Sequence, residues 1–240
     1  MIGYIMGKIG YGYGSEWHLL RFLGYHRDYL SKEILKITVG EDISWIDFGF
    51  SKNSAFLNND QELVGLEFIQ NTQVFQKWRE FWPPTGSAQN WDAVGKIEYE
   101  NHQEWLLVEA KAHLDEVRSN CGANSPKSIE MISGAFEKTM QSFCDNKTPI
   151  NNWLSPYYQY ANRLASLHFL MRECDPAIPT RLLFIYFCGD QRPDKKCPQK
   201  EEEWHKIIED MEAWLGIDQS KDIYKRIHHL FLPVNPNVND

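Results

Sequence analysis

Trp105-Leu106-Leu107-Val108 is an unbroken apolar run, and Glu109-Ala110-Lys111 follows it without a spacer. A run that short and that apolar predicts a central strand buried on both faces. Side chains alternate along a strand, so Glu109 and Lys111 share one face, with His113 joining them if the strand continues. Two opposite charges at the end of a buried strand are costly unless neighbours compensate them. Upstream, Trp91 to Ile97 forms a second strand-like piece that contains Asp92. A polar turn around Asn101 folds the chain back to Trp105, which brings Asp92 toward Glu109.

The remaining chain alternates helical and strand patterns. Trp17, Leu19, Leu20, Leu23, Arg27 and Leu30 mark a helix to about Leu35, with Ser15 as its N-cap and Gly24 as a weak point. Ile43 to Phe50 reads as a strand. Residues 60–82 read as helical with a break near Asn71-Thr72, ending in the loop Pro83 to Ser87. Ser125-Pro126 and Ser155-Pro156 repeat one start signal, Ser as N-cap and Pro at the first helical position. The helices they open carry Ile129, Ile132, Phe136, Met140 and Phe143, and then Ala161, Leu164, Leu167 and Leu170, up to about Glu173. Arg181 to Phe187 is another buried-strand run. Glu201 to Leu215 is an amphipathic helix with Trp204, Ile207, Ile208, Met211, Trp214 and Leu215 inward and Gly216 as its stop. Ile227 to Val234 predicts a last strand, before the polar tail PNVND. The expectation is one α/β domain over residues 1–240.

Asp92, sixteen intervening residues and then Glu109-Ala110-Lys111 resemble the D…(D/E)xK signature of the PD-(D/E)xK nuclease superfamily. The stretches GSEWHLLRFLGYHR, NWDAVG, EWLLVEAKAH and YYQYANRLA are similar to those of uncharacterised bacterial proteins placed in that superfamily. The resemblance implies a restriction-endonuclease-like fold, a mixed sheet flanked by helices. Its core order is helix, three strands, helix, strand, with a helix and strand added at the C-terminus. It implies a metal-dependent nuclease, cutting DNA in preference to RNA. Asp92 and Glu109 would hold Mg²⁺ or Mn²⁺, with the carbonyl of Ala110 as a third ligand. Hard, oxygen-seeking cations suit such donors and can activate water and neutralise phosphate charge. Lys111 would stabilise developing charge. Taken alone, E-x-K is common and reads first as a surface salt bridge between Glu109 and Lys111; the buried run before it and the upstream Asp92 raise the catalytic reading.

Two further residues belong to the implied site. Many members of the superfamily carry an acidic residue on the first helix, which makes Glu16 a candidate. A carboxylate in a first helical turn also favours the helix dipole in its own right. Some members carry a Gln on the helix after the E-x-K strand, which points to Gln159. Gln159 and Arg163 lie one turn apart and share a face, as a substrate- or lysine-positioning pair or as a solvated one. His113 reads as a structural histidine, and His18 and His26, with Arg21 and Arg27, as a solvated basic face.

Composition limits the alternatives. A net charge of −8 argues against a general nucleic-acid coat protein, although an acidic protein can carry a locally positive groove. Aromatic residues make up 14% of the chain, and nine are Trp, enough for a core and for stacking on bases. Five cysteines without zinc spacing read as reduced thiols. No apolar stretch approaches the ~20 residues of a membrane span. The first residues lack a basic start followed by a long apolar run, so the expected location is cytoplasmic. Gly10, Gly12 and Gly14 lack dinucleotide-site spacing. Many relatives of the implied fold are dimers, so a homodimer is one possible assembly. The acidic charge and the lack of a DNA-recognition module keep a second expectation open, an idle domain of this fold used for binding or assembly.

Overall fold

A computed structural model describes residues 12–46, 63–84, 89–145 and 148–236. The expected features at Gly10, residues 47–50, residues 85–87 and most of the polar tail lie outside them.

Strand β5, His102–Lys111, is the middle of a five-stranded sheet. The order is β1 (Asp42–Trp45), β4 (Ala93–Tyr99), β5, β6 (Thr180–Cys188) and β7 (Ile227–Pro233). A two-residue turn, 100–101, joins β4 to β5, so that pair is antiparallel with Tyr99 opposite His102. The β5–β6 and β6–β7 pairs are parallel, each joined by a helical crossover. Leu63–Val64 (β2) and Asn90–Trp91 (β3) form a separate small ladder. The fold is therefore α/β, with a mixed sheet flanked by helices.

Alternation along β5 sorts its side chains between two cores. Leu106, Val108 and Ala110, with Ala112, face the core made with α1 (Ser15–Gly24) and α2 (Arg27–Thr38). Leu107 faces the larger core under α3 (Thr72–Phe81), α4 (Pro126–Phe143), α5 (Ile150–Leu154), α6 (Tyr158–His168) and α7 (Glu201–Leu215). Leu106, Leu107, Val108 and Ala110 are fully buried, as the apolar run requires. Each buried leucine contributes about 2 kcal/mol through removal from water.

Local signals set most helix ends. Asn71 Oδ1 accepts from the N–H of Gln73 and Val74 at 3.0 and 3.2 Å and starts α3. Ser125 Oγ accepts from Ser128 N at 3.3 Å, with Pro126 in the first turn of α4. Gly216 closes α7 at φ +70°, a conformation that glycine adopts without strain.

Several expectations change. The single first helix divides at Tyr25-His26, where both N–H groups bond to Arg21 O, and Trp17 is exposed. Gly14, at φ +87°, takes the cap position expected of Ser15. The Ser15 hydroxyl instead donates to Glu116. Residues 63–64 are strand, so helix is confined to 67–69 and α3. Ser155 ends α5 and Tyr157 caps α6, because the Ser155 hydroxyl is committed to Asn120 Oδ1 at 2.6 Å. Trp214 lies on the outer side of α7, 48% exposed, with its ring N–H on Ser155 O at 3.2 Å. The five cysteines are free thiols. Among the described residues, no helix is long and apolar enough to cross a membrane.

Candidate active site

The β4–β5 register pairs Ala93 with Val108. One step further, where regular pairing ends, Asp92 meets Glu109 and Ala110. The backbone N–H of Asp92 donates to Val108 O at 3.1 Å, and Asp92 Oδ2 accepts from Ala110 N at 2.7 Å. The side chain of Asp92 thus takes over where the backbone ladder stops. In an extended strand the N–H and C=O of one residue point the same way. The Ala110 carbonyl therefore opens toward Asp92. Two carboxylates and a carbonyl oxygen share one end of the β4–β5 pair.

Glu109 and Lys111 point into the face covered by α6, and both are buried. Lys111 Nζ donates to Glu109 Oε1 and, at 2.9 Å, to Gln159 Oε1. The other oxygen, Glu109 Oε2, accepts from Arg163 Nε at 2.8 Å and lies 2.7 Å from Arg163 Nη2. Arg163 Nη2 also donates to Asn90 O at 2.5 Å, and the guanidinium sits 4.8 Å from the centre of the Trp91 ring. Trp91, itself buried, holds Gly65 O through its ring N–H at 2.8 Å. Arg163 therefore ties the strand that carries Glu109 to the segment that carries Asp92. Gln159 is fixed in turn by its N–H on Ser119 Oγ at 2.7 Å.

The electrostatics follow from this packing. Burial, then the nearby Glu109 charge, pushes the Asp92 carboxyl up to about 7, against smaller opposing effects of Lys111, the Ala110 N–H and Arg163. Burial also acts to raise Glu109, but Arg163 and Lys111 outweigh it and hold Glu109 below the usual range. One carboxyl is poised to exchange a proton near neutrality, and the other is anionic. A cavity of about 10 Å³, lined by Glu109, Lys111, Gln159, Tyr160 and Tyr186, opens beside them, space for about one water.

The structure brings together Asp92, Glu109, Ala110, Lys111 and Gln159. It does not bring Glu16 to them. Glu16 is exposed on α1, which packs on the opposite face of β5 from Glu109 and Lys111. The acidic residue that does reach the end of β5 is Glu116. Its Oε2 accepts from Ala112 N at 2.5 Å and from His113 N at 3.3 Å. Its Oε1 accepts from Ser15 N at 3.2 Å and lies 3.3 Å from His113 Nε2. Glu116 and His113 thus anchor α1 to β5. The solvated basic face expected of α1 also fails at His18, which is buried 3.4 Å from Asp190 and titrates below the usual range because of that burial. Arg163 is the residue that sequence reasoning assigned no definite partner, and its one available signal was the shared face with Gln159.

Among the described residues, no group of three or more His, Cys, Asp or Glu side chains is arranged to hold a metal. The candidate donor set is two carboxylates and a main-chain carbonyl, hard oxygen donors of the kind Mg²⁺ and Mn²⁺ prefer. No protein-family model, curated protein or solved structure matches the chain.

Proposed function

We propose that the protein is a metal-dependent nuclease with a restriction-endonuclease-like core, hydrolysing phosphodiester bonds in DNA in preference to RNA. The observation that carries this reading is the meeting of Asp92 with Ala110 N, one residue from Glu109 and Lys111. It places two carboxylates of opposed proton affinity beside a buried ammonium. The elements α1, β1, β4, β5, α6 and β6 occur in that chain order, with α2, β2, α3, β3, α4 and α5 between them, which is compatible with the core order that the resemblance implies.

Asp92, Glu109 and the Ala110 carbonyl would hold the Mg²⁺ or Mn²⁺. The ion would supply a more acidic bound water and charge neutralisation at the phosphate. Lys111 presents a positive charge to the phosphoryl oxygens. Gln159 accepts from Lys111 and holds its ammonium beside Glu109. Arg163 holds Glu109 ionised and oriented. Asp92 would hold a cation in its deprotonated form, so binding would be favoured as pH rises through 7.

A second reading has an observation of its own. Both oxygens of Glu109 are already engaged, by Lys111 and by Arg163, which satisfies the buried charge without a metal. That suits an idle domain used for binding or assembly.

Cleavage of supercoiled plasmid, linear duplex, single-stranded DNA and RNA, each with Mg²⁺, Mn²⁺ or EDTA, tests the nuclease. Lys111→Ala runs beside wild type to exclude contamination. Metal-dependent cleavage lost in Lys111→Ala supports the proposal. Absence of cleavage together with no Mn²⁺-dependent rise in Tm favours the idle domain, because a ligand bound by the native state raises Tm.

A further inference from the structure

Beside this site lies a pocket of about 520 Å³, within the roughly 300–1,000 Å³ of small-molecule sites. It opens past the carboxyl ends of the parallel strands β5 and β6, where ligands of open α/β sheets commonly bind. Its walls are the segment after β5, the start of α6, the loop at 196–198 and the outer face of α7. Leu114 N donates to Lys196 O at 3.0 Å, and Ser119 N to Pro156 O at 2.6 Å, so the walls are pinned to one another. Val117 lines both this pocket and the small cavity that contains Glu109, Lys111 and Gln159. The two hollows are therefore neighbours across one side chain.

The lining has three kinds of group. Arg118, Lys196 and Lys206 are exposed cations, and none has a carboxylate partner among the described residues. Tyr157 and Ile207 give an aromatic and aliphatic surface. Glu203 and Asp210 on α7, with Asp115, which pairs with Lys195 at 2.8 Å, supply acceptors. Cations alone would suit any polyanion, and the three carboxylates argue against a bare polyphosphate. Phosphate, a flat ring and amino or imino donors occur together in a nucleotide.

We infer that this pocket seats one nucleotide of an unpaired nucleic-acid strand, next to the bond cut at Asp92, Glu109 and Lys111. The inference rests on the nuclease reading for its biological sense. The phosphate lies among Lys196, Lys206 and Arg118, and the base lies on Tyr157 with its edge toward α7. Aromatic stacking is tolerant of base identity, so the pocket selects for an unstacked nucleotide and not for a sequence.

Thymidine 5′-monophosphate, thymidine and inorganic phosphate are titrated into the full chain in EDTA at low salt, with heat of binding as the readout. The expected result is that the nucleotide binds more tightly than either fragment. Lys196→Glu combined with Lys206→Glu weakens nucleotide binding about tenfold or more and flattens its salt dependence. Tyr157→Ala removes the nucleotide's advantage over phosphate. Equal binding of nucleotide and phosphate, no nucleotide binding, or affinities unchanged in the variants overturns the inference. Cleavage by the same preparations in Mn²⁺ separates the two claims. Cleavage without nucleotide binding discards the pocket and leaves the nuclease. Nucleotide binding without cleavage does the reverse.

Discussion

Arg163 Nε lies 2.8 Å from Glu109 Oε2, with both side chains about 3% exposed or less. A buried carboxylate with an arginine on one oxygen and a lysine on the other is neutralised before any ligand arrives. Removing one partner leaves charge stranded in a dry site, where breaking a buried pair costs about 3–5 kcal/mol. Arg163→Met is expected to lose that much stability in urea denaturation. Adding Glu109→Gln should recover part of the loss, because the uncompensated charge goes with it.

Asp92 titrates higher in the folded protein than in the unfolded chain, about 7 against 3.8. Between those values the native state keeps a proton that the unfolded state has released. Stability of the metal-free protein therefore falls as pH rises from about 4 to 7. Asp92 retains partial solvent contact, and screening limits the effect to on the order of 2 kcal/mol. Asp92→Asn should flatten this part of the profile. Glu109, held low, acts in the other direction, and its contribution is lost as pH drops below the ordinary carboxylate range. Denaturation of the two proteins from pH 4 to 8 measures the difference.

Gln159 is the one acceptor of Lys111 that is uncharged. Gln159→Ala is expected to lower kcat on plasmid about tenfold with KM little changed, since it frees the ammonium while leaving both of the site's carboxylates and its cations in place. Equal kcat for wild type and variant would remove Gln159 from the site.

Glu16→Gln is expected to leave cleavage unchanged within about twofold. Its helix covers the face of β5 that carries Ala110 and Ala112. A loss comparable to that expected of Lys111→Ala would show that α1 reaches the candidate site.

Glu116→Ala removes the acceptor of three backbone N–H groups, those of Ser15, Ala112 and His113. Each charged hydrogen bond of this kind is worth about 1.5–3 kcal/mol, and solvent at this half-buried site restores part of it. A net loss of about 2 kcal/mol is expected, together with faster amide hydrogen exchange in the first turn of α1.

Sequence patterns made much of this architecture legible. Trp105 to Val108 reads as a central strand, and it belongs to the middle one. The turn near Asn101 measured the distance back from Glu109 to Asp92 correctly, because strand pairing is arithmetic once the turn is located. Glu201 to Leu215 was bounded by its amphipathic pattern and by Gly216. Arg163 and Glu16 show where such reasoning ends. Helical spacing says that Gln159 and Arg163 share a side, but not that the side is buried against Glu109. It places Glu16 in a first turn, but not which face of the sheet that helix covers. Ser155-Pro156 had the letters of a helix start, yet tertiary partners claimed its hydroxyl. These outcomes depend on contacts far apart in the chain, which no local window contains.

The two-residue turn between β4 and β5 has a chemical meaning as well as a geometric one. Side chains alternate with a period of two, so slipping β4 by one residue against β5 exchanges the faces of Asp92 and Ala93. Asp92 would then enter the apolar layer beneath Leu19 and Phe22, and a methyl group would stand beside Glu109. The length of one hairpin turn thus acts as a reading frame for the site, and it is kept by residues that take no part in the chemistry.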